Sequence, residues 1–94
     1  MDNLRIDRAT AHSLVADGAK FIDVRSPEEF AGGALPGAVN VPVQVIAQEI
    51  QHHAADGDTI VLYCKSGGRS DVAARMLRSF GFAKAYNMGG IGEW

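Results

Sequence analysis

The run Cys64-Lys65-Ser66-Gly67-Gly68-Arg69-Ser70 holds the chain's only cysteine, two consecutive glycines and two cations within seven residues. It lies between an apolar, β-rich segment and the start of a helical pattern. A loop that feeds a helix leaves the first backbone N–H groups of that helix without intrahelical partners, and paired glycines let the backbone curl until those donors converge. The product is an anion cradle with Cys64 at its rim. The helix dipole, the converging donors, Lys65 and Arg69 all favour thiolate over thiol, which predicts a lowered Cys64 pKa. A sulfur already ionised at neutral pH attacks without a general base, in keeping with the absence of a histidine near this loop. A cysteine at a strand end is ordinarily a small buried hydrophobe, but a plain connection needs neither the glycine pair nor the flanking cations. The order Gly-x-x-x-x-Gly-Lys-Ser/Thr is absent, which excludes a nucleotide-phosphate loop.

Gly and Pro mark the boundaries of the elements that must position this loop. Leu4 and Ile6 alternate as a short strand, and Asp7 offers an N-cap to a helix over Arg8–Ala16 that Asp17-Gly18 stops. Lys20–Arg25 reads as a buried strand, and Ser26-Pro27-Glu28-Glu29-Phe30 carries the N-cap, N1 proline and early acids of a helix that Gly32-Gly33 ends. Val39–Pro42 is a minimal third strand. Val43, Ile46, Ala47 and Ile50 recur at helical spacing over Val43–Ala54. Thr59–Tyr63 is the most β-rich run, and its near-continuous apolarity suits the centre of a parallel sheet covered on both faces. Ser70–Phe80 places Val72, Ala73, Met76, Leu77 and Phe80 on one helical face, and Ala85–Met88 is a last short strand. The alternation predicts an α/β fold whose central parallel sheet of about five short strands is flanked by helices on both faces. Chemistry in such folds collects beyond the carboxyl ends of the strands, where the Cys64 loop falls.

At 94 residues, 47% hydrophobic, the chain supports one domain, taken as residues 1–94. No repeat, linker or low-complexity tract divides it. A formal charge of -2 gives no footprint for nucleic acid or an anionic membrane. The start of the chain lacks the basic and apolar stretches of a signal peptide, and no apolar run reaches about 18 residues, so a soluble, cytoplasmic protein is expected. A single cysteine excludes an internal disulfide and a cysteine-clustered metal site within one chain. The adjacent His52 and His53 face different ways on a helix, and together with His12 they read as surface residues, so no metal is expected. Met76, Met88, Phe80, Phe82 and Trp94 read as core or rim rather than as a cofactor site.

Phe21-Ile22-Asp23-Val24-Arg25, Glu28-Glu29-Phe30, Pro36-Gly37-Ala38-Val39-Asn40-Val41-Pro42, Tyr63 through Ser70, and Gly89-Gly90-Ile91 with Trp94 together resemble a single-domain rhodanese over almost the whole chain. The resemblance implies a sulfurtransferase without a cofactor. Cys64 would take sulfur from thiosulfate or a similar anionic donor, hold it as a persulfide, and pass it to cyanide or a thiol. Lys65, Ser66, Gly67, Gly68, Arg69 and Ser70 would cradle the anion, with Asp23 and Arg25 supporting it through an ion pair and hydrogen bonds. A persulfide relay loaded by a partner protein is the alternative. Phosphatase or arsenate-reductase chemistry on a similar fold is the weaker one, because Cys64 and Arg69 are separated by four residues and phosphatase loops of this type have five. Relatives often read Gly-His-Ile-Pro-Gly-Ala where this chain reads Gly33-Ala34-Leu35-Pro36-Gly37-Ala38, so any contact made by that histidine is missing here.

Overall fold

The computed structural model describes residues 4–94. Four parallel strands, β1 (Lys20–Asp23), β2 (Val39–Asn40), β3 (Ile60–Cys64) and β4 (Ala85–Gly90), lie in the order β2-β1-β3-β4. The helices are α1 (Arg8–Ala16), α2 (Pro27–Ala31), α3 (Ile46–Glu49) and α4 (Gly68–Ser79), with 3₁₀ turns at Ile50–His52 and Ile91–Glu93. The expected domain is thus α/β with a parallel sheet, but with four strands instead of about five.

The difference lies at the start of the chain. Leu4–Ile6 forms an isolated parallel bridge between Arg5 and Asn87 rather than a strand. The Ile6 N–H donates to the Asn87 carbonyl at 3.0 Å and the Asn87 N–H to the Leu4 carbonyl at 2.7 Å. Asp7 then caps α1, accepting the Thr10 N–H at 2.9 Å, so pairing stops after one bridge. Even this short contact covers part of the outer edge of β4.

β3 is buried at all five positions, and its alternation feeds two cores. Ile60, Leu62 and Cys64 join Ile22, Val24, Val41, Ile46, Ile50, Ala73, Ala74 and Leu77 on the α3 and α4 side. Val61 and Tyr63 join Ala11, Phe21 and Met88 on the α1 side, together with Trp94. A strand paired on both edges and covered on both faces is the firmest mount the fold offers for the residue at its carboxyl end.

Two helices depart from the sequence expectation. The segment from Val43 begins as a turn, with the Val43 N–H donating to the Val24 carbonyl and the Val45 N–H to that of Pro42. Only Ile46–Glu49 is α-helical before the chain tightens into the 3₁₀ turn, and Val45 at its start makes no side-chain hydrogen bond to the helix. In α4 the buried positions are Ser70, Ala73, Ala74 and Leu77. Val72 is 52% exposed and Phe80, at the C-cap where the helix ends, 58% exposed, so neither belongs to the buried face. Met88 and Phe82 are buried as expected. His12 is on the surface but not free of contacts: its ring stacks on Trp94 at 3.6 Å between centroids and hydrogen-bonds the Trp94 carbonyl. Trp94 in turn stacks on Phe21.

Candidate active site

Cys64 is the last residue of β3, and four residues later α4 begins at Gly68. Gly67 makes the turn between them. Its φ of +106° lies in the left-handed region, and it caps α4 with no side-chain hydrogen bond. The Asp71 N–H closes the first helical turn on the Gly67 carbonyl at 3.0 Å. The N–H groups of Gly68, Arg69 and Ser70 therefore have no intrahelical acceptor. This uncapped end of a 12-residue helix faces the sulfur: Gly67 N–H donates to Cys64 Sγ at 3.0 Å, and the Ser70 hydroxyl lies 3.4 Å from it. Burial pushes the Cys64 thiol up, but the Ser70 hydroxyl and the backbone N–H groups of Ser70, Gly67 and Ser66 outweigh it, and the pKa settles below its ordinary value.

A second layer fixes these donors. The buried Asn87 accepts the Ser70 hydroxyl at 2.7 Å and the Gly89 N–H at 2.8 Å through Oδ1, while its Nδ2 donates to the Gly67 carbonyl at 3.2 Å. The single Ser70 proton thus has four acceptors within reach, Asn87 Oδ1, the carbonyls of Gly67 and Gly89, and the sulfur, and negative charge on the sulfur draws it there. On the other side of the loop, Gly90 pairs with Cys64 across the β3–β4 ladder. A Cβ at Gly90 would run into the Lys65 carbonyl and lie 3.1 Å from Ser66 Cα, so glycine is what lets the loop pass this close.

The loop after β1 opens on the same crevice. Arg25 holds the fully buried Asp23 through Nε, at 3.0 Å to both carboxylate oxygens, and through Nη2 at 2.7 Å. Its Nη2 also donates to the Gly33 carbonyl at 2.8 Å. Asn40 Nδ2 donates to the carbonyls of Asp23 and Arg25, and the Tyr63 hydroxyl accepts the Leu35 N–H. Hydrogen bonds to Asp23 hold the Arg25 guanidinium above its ordinary pKa, so it stays charged. The pair braces residues 23–35 and makes no direct hydrogen bond to the sulfur. Arg69 forms a bidentate ion pair with Glu29, at 2.7 and 3.1 Å, while Lys65 and Ser66 are exposed. Two surface concavities, of about 420 Å³ beside Arg5 and Glu93 and about 400 Å³ beside Ile50 and Phe80, are lined by other residues than those of this loop.

The family model for the rhodanese-like domain matches residues 7–94. The chain belongs to the rhodanese-like family. It is 34% identical to the chloroplastic thiosulfate sulfurtransferase 16 of Arabidopsis thaliana, an alignment that covers 89% of this chain and 80% of that protein. It is 35% identical to the human thiosulfate:glutathione sulfurtransferase, over 87% and 84% of the two chains. A human single-domain sulfurtransferase structure superposes with a TM-score of 0.82 at 31% identity, covering 95% of this chain and 91% of that one.

Within this rhodanese-like domain the structure brings the sequence-predicted Cys64, Gly67 and Ser70 into hydrogen-bond contact and pairs Asp23 with Arg25. Asn87 and Glu29, which the sequence does not single out for the site, contact Ser70 and Arg69. Asn87 sits in a strand, and a polar residue there carries no signal until the fold sets it behind Ser70. Glu29 was visible as an early helical acid, which is only half of what it does.

Proposed function

We propose that the domain transfers sulfane sulfur through a persulfide on Cys64, with thiosulfate or a similar anion as donor. The observation that carries this reading is the uncapped N-terminus of α4 aimed at a buried sulfur whose pKa lies below its ordinary value. The Cys64 thiolate attacks the outer sulfur of thiosulfate, and the S–S bond breaks with its electron pair leaving on sulfite. The product is a cysteine persulfide anion. Its terminal sulfur reaches further into the ring of N–H donors than the thiolate does, so the cradle from Lys65 to Ser70 stabilises the intermediate as well as the nucleophile. Cyanide or a thiolate then attacks the terminal sulfur, and the electron pair returns to Cys64.

Lys65 draws the anion to the mouth of the site, and Ser66, Gly67, Gly68, Arg69 and Ser70 shape the cradle, with Asp23 and Arg25 as its brace. A protein can stand in for either the donor or the acceptor. The chemistry needs a reduced sulfur, which fits the cytoplasm; among the described residues no helix is long and apolar enough to cross a membrane. The four-residue spacing between Cys64 and Arg69 supports sulfur over phosphate or arsenate as the substrate centre.

The test is the intact mass of the protein after incubation with thiosulfate and again after cyanide. Gain of one sulfur atom, its loss to cyanide, and no gain in Cys64→Ser are the expected results. An alkylatable Cys64 that takes no sulfur from thiosulfate but does from a cysteine desulfurase moves the donor to a protein. Sulfur turnover retained in folded Cys64→Ser ends the covalent mechanism.

A further inference from the structure

Arg69 is the cation that the loop places nearest the start of α4, yet its charge is already committed. Its two terminal nitrogens donate to the two oxygens of Glu29 at 2.7 and 3.1 Å, with both side chains about one-third exposed, at 38% and 31%. Glu29 is held just as firmly from its own side. Its Oε1 accepts the Ser26 N–H at 2.9 Å while Ser26 Oγ accepts the Glu29 N–H at 3.1 Å, the reciprocal pair that starts α2. The carboxylate therefore cannot swing away without breaking a helix cap. Arg25, the other arginine of the crevice, is spent on Asp23 and the Gly33 carbonyl. Lys65, exposed beside Cys64, makes no ion pair with any described residue. The sulfur thus faces neutral N–H dipoles and neutralised arginines, with one exposed lysine at the mouth. Dipoles serve a single negative charge on a terminal sulfur well. A small dianion gains twice as much as a monoanion from an uncompensated cation, and here that gain is largely cancelled.

We propose that Glu29 sets the charge preference of the site: by neutralising Arg69 at the edge of the Cys64 cradle, it turns the site away from doubly charged small donors and toward sulfur carried as an organic persulfide, a singly charged sulfur. This rests on the sulfurtransferase reading and narrows its donor: thiosulfate, a dianion, is still taken, but an organic persulfide is taken in preference. Glu29 is a positioning residue, acting through Arg69 rather than on the donor.

Glu29→Gln tests this with little change of shape, since glutamine also serves in a helix-starting cap and still accepts from Arg69. The readout is the rate of Cys64 alkylation by iodoacetate, an anion, divided by the rate with neutral iodoacetamide. Alongside it stands kcat/KM for thiosulfate divided by that for an organic persulfide. Both ratios are expected to rise about threefold or more in the variant, with the rise fading as salt is added. A purely structural role moves numerator and denominator together and leaves the ratios unchanged, which overturns the proposal; so does a fall in either. The double variant Glu29→Gln with Arg69→Gln supplies the second arm and is scored in its own right should the single variant not fold. With both charges gone its ratios stay near wild type if Glu29 acts as a counter-charge, whereas they drop to the level of Arg69→Gln alone if Arg69 binds the donor, which again overturns the proposal. If the wild-type protein takes sulfur from neither donor and from no cysteine desulfurase, the sulfurtransferase reading fails, while the alkylation ratio still decides the role of Glu29.

Discussion

A thiolate out of contact with water is costly unless its charge is met by donors, and Cys64 is only 1% exposed. What meets it is a set of backbone N–H groups and one hydroxyl, held by Asn87 from behind. The alkylation rate of Cys64 against pH should show a midpoint below the free-cysteine value of about 8.5, with reactivity lost as pH falls through it. Asn87→Ala should move that midpoint upward, because the Gly67 turn, whose N–H donates to the sulfur, loses the amide that holds its carbonyl. The same change leaves the buried Gly89 N–H short of its partner, at a cost of about 1–3 kcal/mol in unfolding free energy by urea titration. An unshifted midpoint in a folded Asn87→Ala protein would show that the cradle is held by the backbone alone.

At the scale of elements, two helix N-termini meet at the crevice and are treated in opposite ways. α2 is fully capped, by Ser26 and Glu29 with Pro27 at its first turn. α4 has no side-chain cap and keeps its donors for the sulfur. The Glu29–Arg69 ion pair ties one to the other across 40 positions of sequence. Hydrogen bonds from Arg69, and then from Ser26, hold the Glu29 carboxyl at about 2, below its ordinary value of 4.5. A carboxylate with a depressed folded pKa contributes its stability above the unfolded value and loses it as pH falls through the folded one. Wild type should therefore exceed Glu29→Gln in stability above about pH 5, and the margin should shrink between about pH 4.5 and 2. Equal pH dependence of the two proteins would mean that the pair is not maintained in solution.

Over the whole molecule, the sheet separates the duty of holding the fold from that of doing chemistry. Leu77 is fully buried against β3 in the core that also contains Cys64, two turns along α4 from Ser70. Leu77→Ala should cost about 2–5 kcal/mol in unfolding free energy, seen as a lower melting temperature in calorimetry. The same variant, below its melting temperature, should keep the wild-type alkylation midpoint, since no donor to the sulfur comes from that turn. A midpoint that moves with Leu77→Ala would show that the cradle depends on how α4 seats on the sheet.

The order of strands and helices, the place of Cys64 at a strand's carboxyl end and the family resemblance were all legible in the sequence, because each rests on local pattern. Near-continuous apolarity marks β3, Ser-Pro-Glu-Glu marks the start of α2, and a glycine pair after a cysteine marks the turn into α4. What the sequence left undecided depends on residues far apart in the chain. Leu4–Ile6 has strand-like alternation, yet whether it pairs along β4 or stops after one bridge is set by where Asp7 must begin α1. The segment after Val43 begins as a turn and not as a helix, with the Val43 N–H given to the Val24 carbonyl nineteen positions away. Glu29 and Asn87 look like ordinary polar residues until the sheet brings the β1, β3 and β4 ends together. Only then does an acid of α2 meet a cation of α4, and an amide of β4 reach the hydroxyl beside the sulfur, since contacts between elements follow from tertiary distance and not from sequence spacing.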